Sequence, residues 1–247
     1  MRFWVTGQGE REKQLKMLCQ ARGHELGGEG PWDLVVLPLP KSELTKEEAA
    51  RLGPGQKIVC GMISGALERQ ASEKKWRLLR VLQDARYTRD NAVLSAEGAV
   101  YAAMKNADFA LSGAACAVLG YGRIGKALTK LLRGLGAQVT VAARREESRR
   151  EAGHGSIPLA ALPDVLPGIQ VLFNTVPAPI LGREWLKRVS PAALLLELAS
   201  APYGIDLAAA RELGLHAWLE SGIPGRYCPK TAARVLLDYM EREVQNE

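Results

Sequence analysis

The chain of 247 residues lacks most of the features that announce a chemistry at first reading. There is no zinc-type cluster: Cys19, Cys60, Cys116 and Cys228 are scattered without metal-ligand spacing. Three of them fall in apolar strand or helix patterns, the usual setting of a buried, reduced thiol. His24, His154 and His216 fall at a strand start, a loop and a strand start, with no Ser/His/Asp signature around them. No basic tract is interleaved with aromatics, so the net charge of +6 does not point to nucleic acid. No apolar run approaches membrane-spanning length. No signal peptide is visible, because Met1-Arg2-Phe3-Trp4-Val5 leads directly into a strand and a glycine turn. Internal repeats and low-complexity segments are missing as well. These absences exclude a metal hydrolase, a membrane-spanning protein and a repeat array, and predict a cytoplasmic protein with no metal.

What is present is concentrated around residue 120. Ala115-Cys116-Ala117-Val118-Leu119 is short and apolar, as a buried parallel strand requires. Ile124, Ala127, Leu128, Leu131 and Leu132 are spaced along one face of a helix. Between them lies Gly120-Tyr121-Gly122-Arg123-Ile124-Gly125. In this strand-to-helix setting the first glycine permits a tight turn, the second lets a pyrophosphate approach the backbone, and the third lets the helix pack close. The helix N-terminus then supplies N–H groups and a positive dipole end to the phosphates. The next strand, Gln138 to Ala142, delivers Ala143-Arg144-Arg145 to the place where an NAD site carries a ribose-reading carboxylate. Without that carboxylate, and with two arginines able to fork a phosphate, the cofactor expected is NADP.

The remainder alternates strands and helices, which implies parallel sheets covered on both faces. Strands are expected at Arg2 to Thr6, Asp33 to Leu37, Lys57 to Cys60 and Arg77 to Leu82, with helices at Glu10 to Ala21 and Ala66 to Glu73. Thr45 and Glu48 form a capping box at the head of a further helix. Residues 1–94 then make a flavodoxin-like domain that holds or caps the substrate, and 95–112 an interdomain helix. Residues 113–228 make a doubly wound Rossmann domain for NADP, and 229–247 a C-terminal helix packing back toward the first domain.

Ligands of open α/β sheets bind beyond the carboxyl ends of the strands. Asn174-Thr175-Val176-Pro177 follows the fourth strand of the second domain, where its amide and hydroxyl are expected to meet the ribose or nicotinamide. Ala199-Ser200 follows the fifth, small enough for the nicotinamide ring to lie against the backbone. Gly222, Pro224 and Arg226 follow the sixth, with Lys230 starting the last helix. Each also reads as a turn punctuated by Gly and Pro. At the domain junction, Asn91, Ser95 and Glu97 have two readings: Ser95 as a helix N-cap with Glu97 in the first turn, or all three facing the cofactor from a cleft. No acid–base pair can be read directly; hydride transfer is cofactor chemistry, so the protein mainly positions and polarises.

The chain resembles the A subunits of dipicolinate synthase from spore-forming bacteria. The likeness rests on Asn91…Ser95-Ala96-Glu97-Gly98-Ala99, the glycine turn with Arg123, Ala143-Arg144, Asn174-Thr175-Val176-Pro177, Leu198-Ala199-Ser200, Gly222-Ile223-Pro224-Gly225 and Pro229-Lys230-Thr231-Ala232. It departs at Ala201-Pro202-Tyr203-Gly204-Ile205-Asp206, where those proteins have a Pro-Gly-Gly-Thr-Asp turn, and at Glu220-Ser221, where they tend to have Ala-Pro. The resemblance implies an NADP-dependent oxidoreductase component in the mother cell of a sporulating bacterium. It would work with a flavoprotein-like B subunit, and form dipicolinate from dihydrodipicolinate or its hydroxytetrahydro precursor on a branch of the lysine pathway. It also implies a small dicarboxylate substrate, held by Arg226 and Pro224, with Asn91, Ser95, Glu97 and Lys230 as the catalytic group; a homo-oligomer is compatible with it. The competing readings are another NADP-dependent two-domain dehydrogenase of a small carboxylate and a nucleotide-binding subunit without catalysis.

Overall fold

The computed structural model describes residues 1–27 and 29–245 and divides into two compact units. The first unit consists of Met1–Leu94 together with the chain from Pro224 onward; the second is Ser95–Ile223.

In the first unit the order is β1 (Arg2–Val5), α1 (Glu10–Ala21), β2 (Glu25–Leu26), β3 (Leu34–Val36), β4 (Lys41–Ser42), α2 (Lys46–Ala50), β5 (Lys57–Cys60), β6 (Met62–Ile63), α3 (Gly65–Glu73) and β7 (Arg77–Arg80). Five of these strands form one parallel sheet, β2-β1-β3-β5-β7. Counted along the chain, this is the flavodoxin-like order. The two-residue strands β4 and β6 pair only with each other. Alternation along β3 builds a core on each face. Leu34 and Val36 join Phe3, Leu15 and Val59 on one side, while Val35 and Leu37 join Ile58, Leu67 and Trp76 on the other. The capping box forms as expected, with the Glu48 amide donating to Thr45 Oγ1 at 3.1 Å and the Thr45 amide to Glu48 Oε2 at 2.9 Å.

The junction differs from expectation. Helix α4 (Ala85–Asn106) begins ten residues before Ser95. Its cap is Asp84, whose carboxylate accepts from the Tyr87 amide at 2.6 Å. Ser95 is therefore not an N-cap but a buried mid-helix residue. Buried Ala92, Leu94, Ala96, Ala99, Ala102 and Ala103 make the helix continuous through this region.

The second unit contains β8 (Ala115–Leu119), α5 (Arg123–Gly134), β9 (Gln138–Ala143), α6 (Glu146–Ala152), β10 (Ser156–Pro158), α7 (Leu162–Val165), β11 (Val171–Asn174), α8 (Arg183–Leu186), β12 (Leu194–Glu197), α9 (Leu207–Glu212) and β13 (His216–Leu219). All six strands are parallel in the order β10-β9-β8-β11-β12-β13. This is the doubly wound Rossmann order, and its reversal between β8 and β11 marks where a dinucleotide lies.

Two helices complete the chain. The expected loop at Gly222 to Arg226 contains a short helix, α10 (Ile223–Tyr227), and α11 (Pro229–Gln245) follows, with Pro229 in its first turn. Leu236, Leu237, Tyr239 and Met240 of α11 are buried with Phe3 and Leu15 of the first unit. Each large apolar side chain buried there contributes about 2 kcal/mol relative to exposure. Residues 246 and 247, included in the expected C-terminal segment, lie outside the described residues.

Candidate dinucleotide site

The glycine turn after β8 has the geometry that its spacing predicts. Gly120 has φ +89°, and a β-carbon there would fall 2.6 Å from Val176 Cγ2. A β-carbon on Gly125 would fall 2.3 Å from the Gly120 carbonyl oxygen. A β-carbon on Gly122 would meet nothing within 4 Å. Two glycines thus close the turn and seat α5 on it, while the third faces open space. That space belongs to a cavity of about 660 Å³ lined by the turn, the end of β9 and the segment after β11. Its size and its backbone-rimmed entrance fit a dinucleotide.

Gly120, Tyr121, Gly122, Ala143, Arg144, Arg145, Thr175, Val176 and Pro177 all line this cavity. The Thr175 hydroxyl donates to the Leu119 carbonyl at 2.8 Å, which ties the segment after β11 to the edge of β8. Arg123 and Ile124 head α5 without lining the cavity, and Ala199, Ser200 and Gly222 do not line it either.

Asn174 departs from expectation. Its side chain is fully buried, with Nδ2 donating to Glu197 Oε1 at 2.7 Å and to the Val176 carbonyl at 3.0 Å. Its amide is spent inside the protein rather than offered to a ribose. Glu197, at the end of β12, is also fully buried and accepts from the amides of Ala199 (2.9 Å), Gly204 (2.8 Å) and Ile205 (2.8 Å). One carboxylate therefore gathers the loops after β11 and β12 through charge-assisted hydrogen bonds, a role that no motif in the sequence announced. The available signal was a carboxylate closing the apolar run Leu194-Leu195-Leu196.

The cations around the end of β9 divide sharply. Arg149 donates to the carbonyls of Ala143 (3.0 Å) and Arg144 (2.6 Å), Lys126 pairs with Glu151 at 2.5 Å, and Arg150 pairs with Glu146. Arg144 and Arg145 are exposed, and among the described residues neither guanidinium has a carboxylate partner. Buried Ser148, one turn into α6, completes this corner of the cavity. Among the described residues there is no group of three or more His, Cys, Asp or Glu able to hold a metal. Burial pushes the Cys116 thiol in β8 up to about 11, which keeps it protonated and inert.

The other expected site residues lie elsewhere in the chain. Asn91, Pro224, Arg226 and Lys230 belong to the first unit, and Ser95 and Glu97 to the second. On α4, Asn91 and Ser95 are four residues apart and share a face. Glu97 is turned away from them on the exposed side and follows exposed Val93 by one turn. Arg226 stacks on Tyr227, its Cζ 5.0 Å from the ring centroid.

Fold and turn together define a nicotinamide dinucleotide-binding protein of the two-unit dehydrogenase class. Residues 78–203, half of the chain, match the family model described as the NAD binding domain of D-isomer specific 2-hydroxyacid dehydrogenases. The A subunit of dipicolinate synthase from Bacillus subtilis is 32% identical over 196 residues, which are 77% of this chain and 66% of that protein's length. The crystal structure of the same Bacillus subtilis protein superposes with a TM-score of 0.86 at 25% identity, over 100% of this chain and 97% of that one. That of its Bacillus halodurans counterpart gives 0.87 at 23% identity, over 98% and 97%. The chain belongs to the family of D-isomer specific 2-hydroxyacid dehydrogenase NAD-binding domains, and it is similar in sequence and fold to the A subunits of dipicolinate synthase.

Proposed function

We propose that this chain is an NADP-dependent oxidoreductase subunit that forms dipicolinate from dihydrodipicolinate or its hydroxytetrahydro precursor, together with a partner subunit. The observation that carries the cofactor choice is the end of β9. Ala143 stands where a ribose-reading carboxylate would repel a phosphate, and Arg144 and Arg145 face the cavity without carboxylate partners. Two guanidinium groups so placed favour a 2′-phosphate over a bare hydroxyl.

The substrate choice is supported by likeness to the Bacillus proteins. Aromatising a dihydropyridine removes a hydride and a proton: a nicotinamide dinucleotide held by the glycine turn and the end of β9 would accept the hydride, the proton would go to solvent, and the hydroxytetrahydro precursor would first lose water. This chain's contribution is then to hold the cofactor and the two substrate carboxylates. We assign the carboxylates to Arg226 and Lys230, beside Pro224, and keep Asn91 and Ser95, which share a face of α4, as polar candidates for the substrate; Glu97 lies on the opposite, exposed side of that helix. A partner resembling a flavoprotein, the B subunit, and the mother-cell cytoplasm as location belong to the same proposal. Among the described residues, no helix is long and apolar enough to cross a membrane.

A second reading is kept alive by the cavity lining, whose ionisable side chains are only Tyr121, Arg144 and Arg145. Without an acid–base group of its own, the chain would be a nucleotide-binding subunit that leaves catalysis to its partner. Incubation with the lysine-pathway precursor and NADP⁺, with and without a B-type partner, separates the two. Pyridine dicarboxylate absorbance that requires this chain supports the enzyme reading; absorbance that appears equally without it overturns that reading. The Arg144→Ala, Arg145→Ala double variant should weaken NADP binding about 100-fold and NAD binding much less. Equal losses would sink the phosphate clamp.

A further inference from the structure

The corner of the cavity beyond the two arginines holds one more polar group. Ser148 lines the cavity and is only 8% exposed. Among the described residues its hydroxyl has no hydrogen-bond partner, although helical serines commonly return theirs to a carbonyl one turn back. The hydroxyl is not sealed in the protein either: the one fully enclosed side-chain atom without a partner among the described residues is Thr129 Oγ1. A nearly buried hydroxyl without a protein partner, on a residue that lines a ligand cavity, is a candidate to pair with the ligand, because leaving such a group unpaired is costly.

The position of this hydroxyl is fixed by its neighbour. Arg149 ties α6 to the end of β9 through the Ala143 and Arg144 carbonyls, 3.0 and 2.6 Å from Nη1. The same clamp sets the backbone of the turn that carries Arg144 and Arg145. Ala143, the two arginines and Ser148 therefore share one rim with a fixed backbone, carrying two cations and one neutral donor.

We infer that Ser148 is a specificity-determining residue whose hydroxyl donates to the 2′-phosphate of the dinucleotide. This rests on the NADP reading and extends it from charge to geometry: the arginines attract the phosphate, and the serine orients it. A hydroxyl can also serve a ribose oxygen. Only a hydroxyl that serves the phosphate costs, when removed, affinity for the phosphorylated ligand alone.

The test is titration calorimetry of the full chain with 2′,5′-ADP and with 5′-AMP, which differ only in that phosphate. The unaltered chain should bind 2′,5′-ADP more tightly. Ser148→Ala should weaken 2′,5′-ADP by about tenfold, the usual worth of a hydrogen bond to a charged group, and leave 5′-AMP unchanged. Ser148→Thr, which keeps the hydroxyl, should restore most of the difference. Ser148→Asp should abolish 2′,5′-ADP binding while 5′-AMP still binds, which also shows that the variant is folded. If the unaltered chain prefers 2′,5′-ADP but Ser148→Ala weakens both ligands equally, or neither, Ser148 does not touch the phosphate and the inference falls alone. If the unaltered chain does not distinguish the ligands, the NADP reading falls and takes this inference with it.

Discussion

The two units open in the same way and use the opening differently. Each begins with a parallel strand, a Gly-x-Gly turn and a helix: β1, Gly7-Gln8-Gly9 and α1 in the first, β8, Gly120-Tyr121-Gly122 and α5 in the second. The leading glycines have matching conformations, φ +80° and +89°. The second glycines do not have matching surroundings. A β-carbon on Gly9 would fall 2.3 Å from Glu12 Oε2, whereas one on Gly122 would meet nothing. In the first unit a carboxylate of the helix's own first turn, Glu12, lies against Gly9 and pairs with buried Arg11 at 3.3 Å, placing an acid where the helix dipole favours one. In the second unit the first turn of α5 carries no acid. A Gly-x-Gly turn is thus a vacancy for an anion only when the chain does not supply the anion itself.

The largest effect should come from emptying the filled turn. Glu12→Ala leaves the Arg11 guanidinium buried without its carboxylate and should lower the unfolding free energy by about 3 kcal/mol. Dinucleotide affinity should be unchanged, with denaturant unfolding and ligand titration as the two readouts. A loss of affinity matching the loss of stability would show that the first turn is not merely structural. Filling the open turn should do the reverse. Gly122→Val should lower stability by about 1 kcal/mol at most, because its side chain enters empty space and only the helix N-cap preference is lost, and weaken dinucleotide binding at least about tenfold. Retained binding would mean that the pyrophosphate lies elsewhere.

The smallest effect concerns alkaline stability, where the two units should behave alike. Burial, reinforced by Glu241, pushes Cys19 in α1 up to about 12, and burial alone pushes Cys116 in β8 up to about 11. Both thiols are more acidic unfolded than folded. Their contribution is fully present below pH 9 and is lost as pH rises through the folded values. Between pH 9 and 10 each should cost roughly 1 kcal/mol of unfolding free energy. Cys116→Ala and Cys19→Ala should each flatten that limb, and an unchanged slope in both would remove the thiols from the account.

Local chemistry was legible in the sequence and distant pairing was not. The strand–turn–helix around Gly120, the capping box at Thr45 and the missing carboxylate at Ala143 are decided by residues a few positions apart. Both sheet orders followed from alternation of strands and helices, although β2, only Glu25–Leu26, is too short to leave a hydrophobic pattern. The start of helix α4 leaves no mark in the sequence because its cap, Asp84, sits directly behind a strand and a 3-10 turn, with no Gly or Pro to announce it. Asn174 looked like a cofactor ligand because its engagement depends on Glu197, twenty-three residues later. Glu197 in turn depends on amides as far along as Ile205. Ser148 was hidden for the opposite reason: its interest lies in the bond it does not make.

The crossing of the chain has a consequence for synthesis. Phe3 and Leu15 precede the Rossmann unit in the chain, yet Leu236, Leu237 and Met240, which follow it, close the same core. The Rossmann unit, encoded between them without interruption, is complete before that core can be. A released fragment ending near residue 223 would therefore carry a complete nucleotide-binding unit together with a sheet whose α1 face is exposed, a surface for chaperones in the absence of α11.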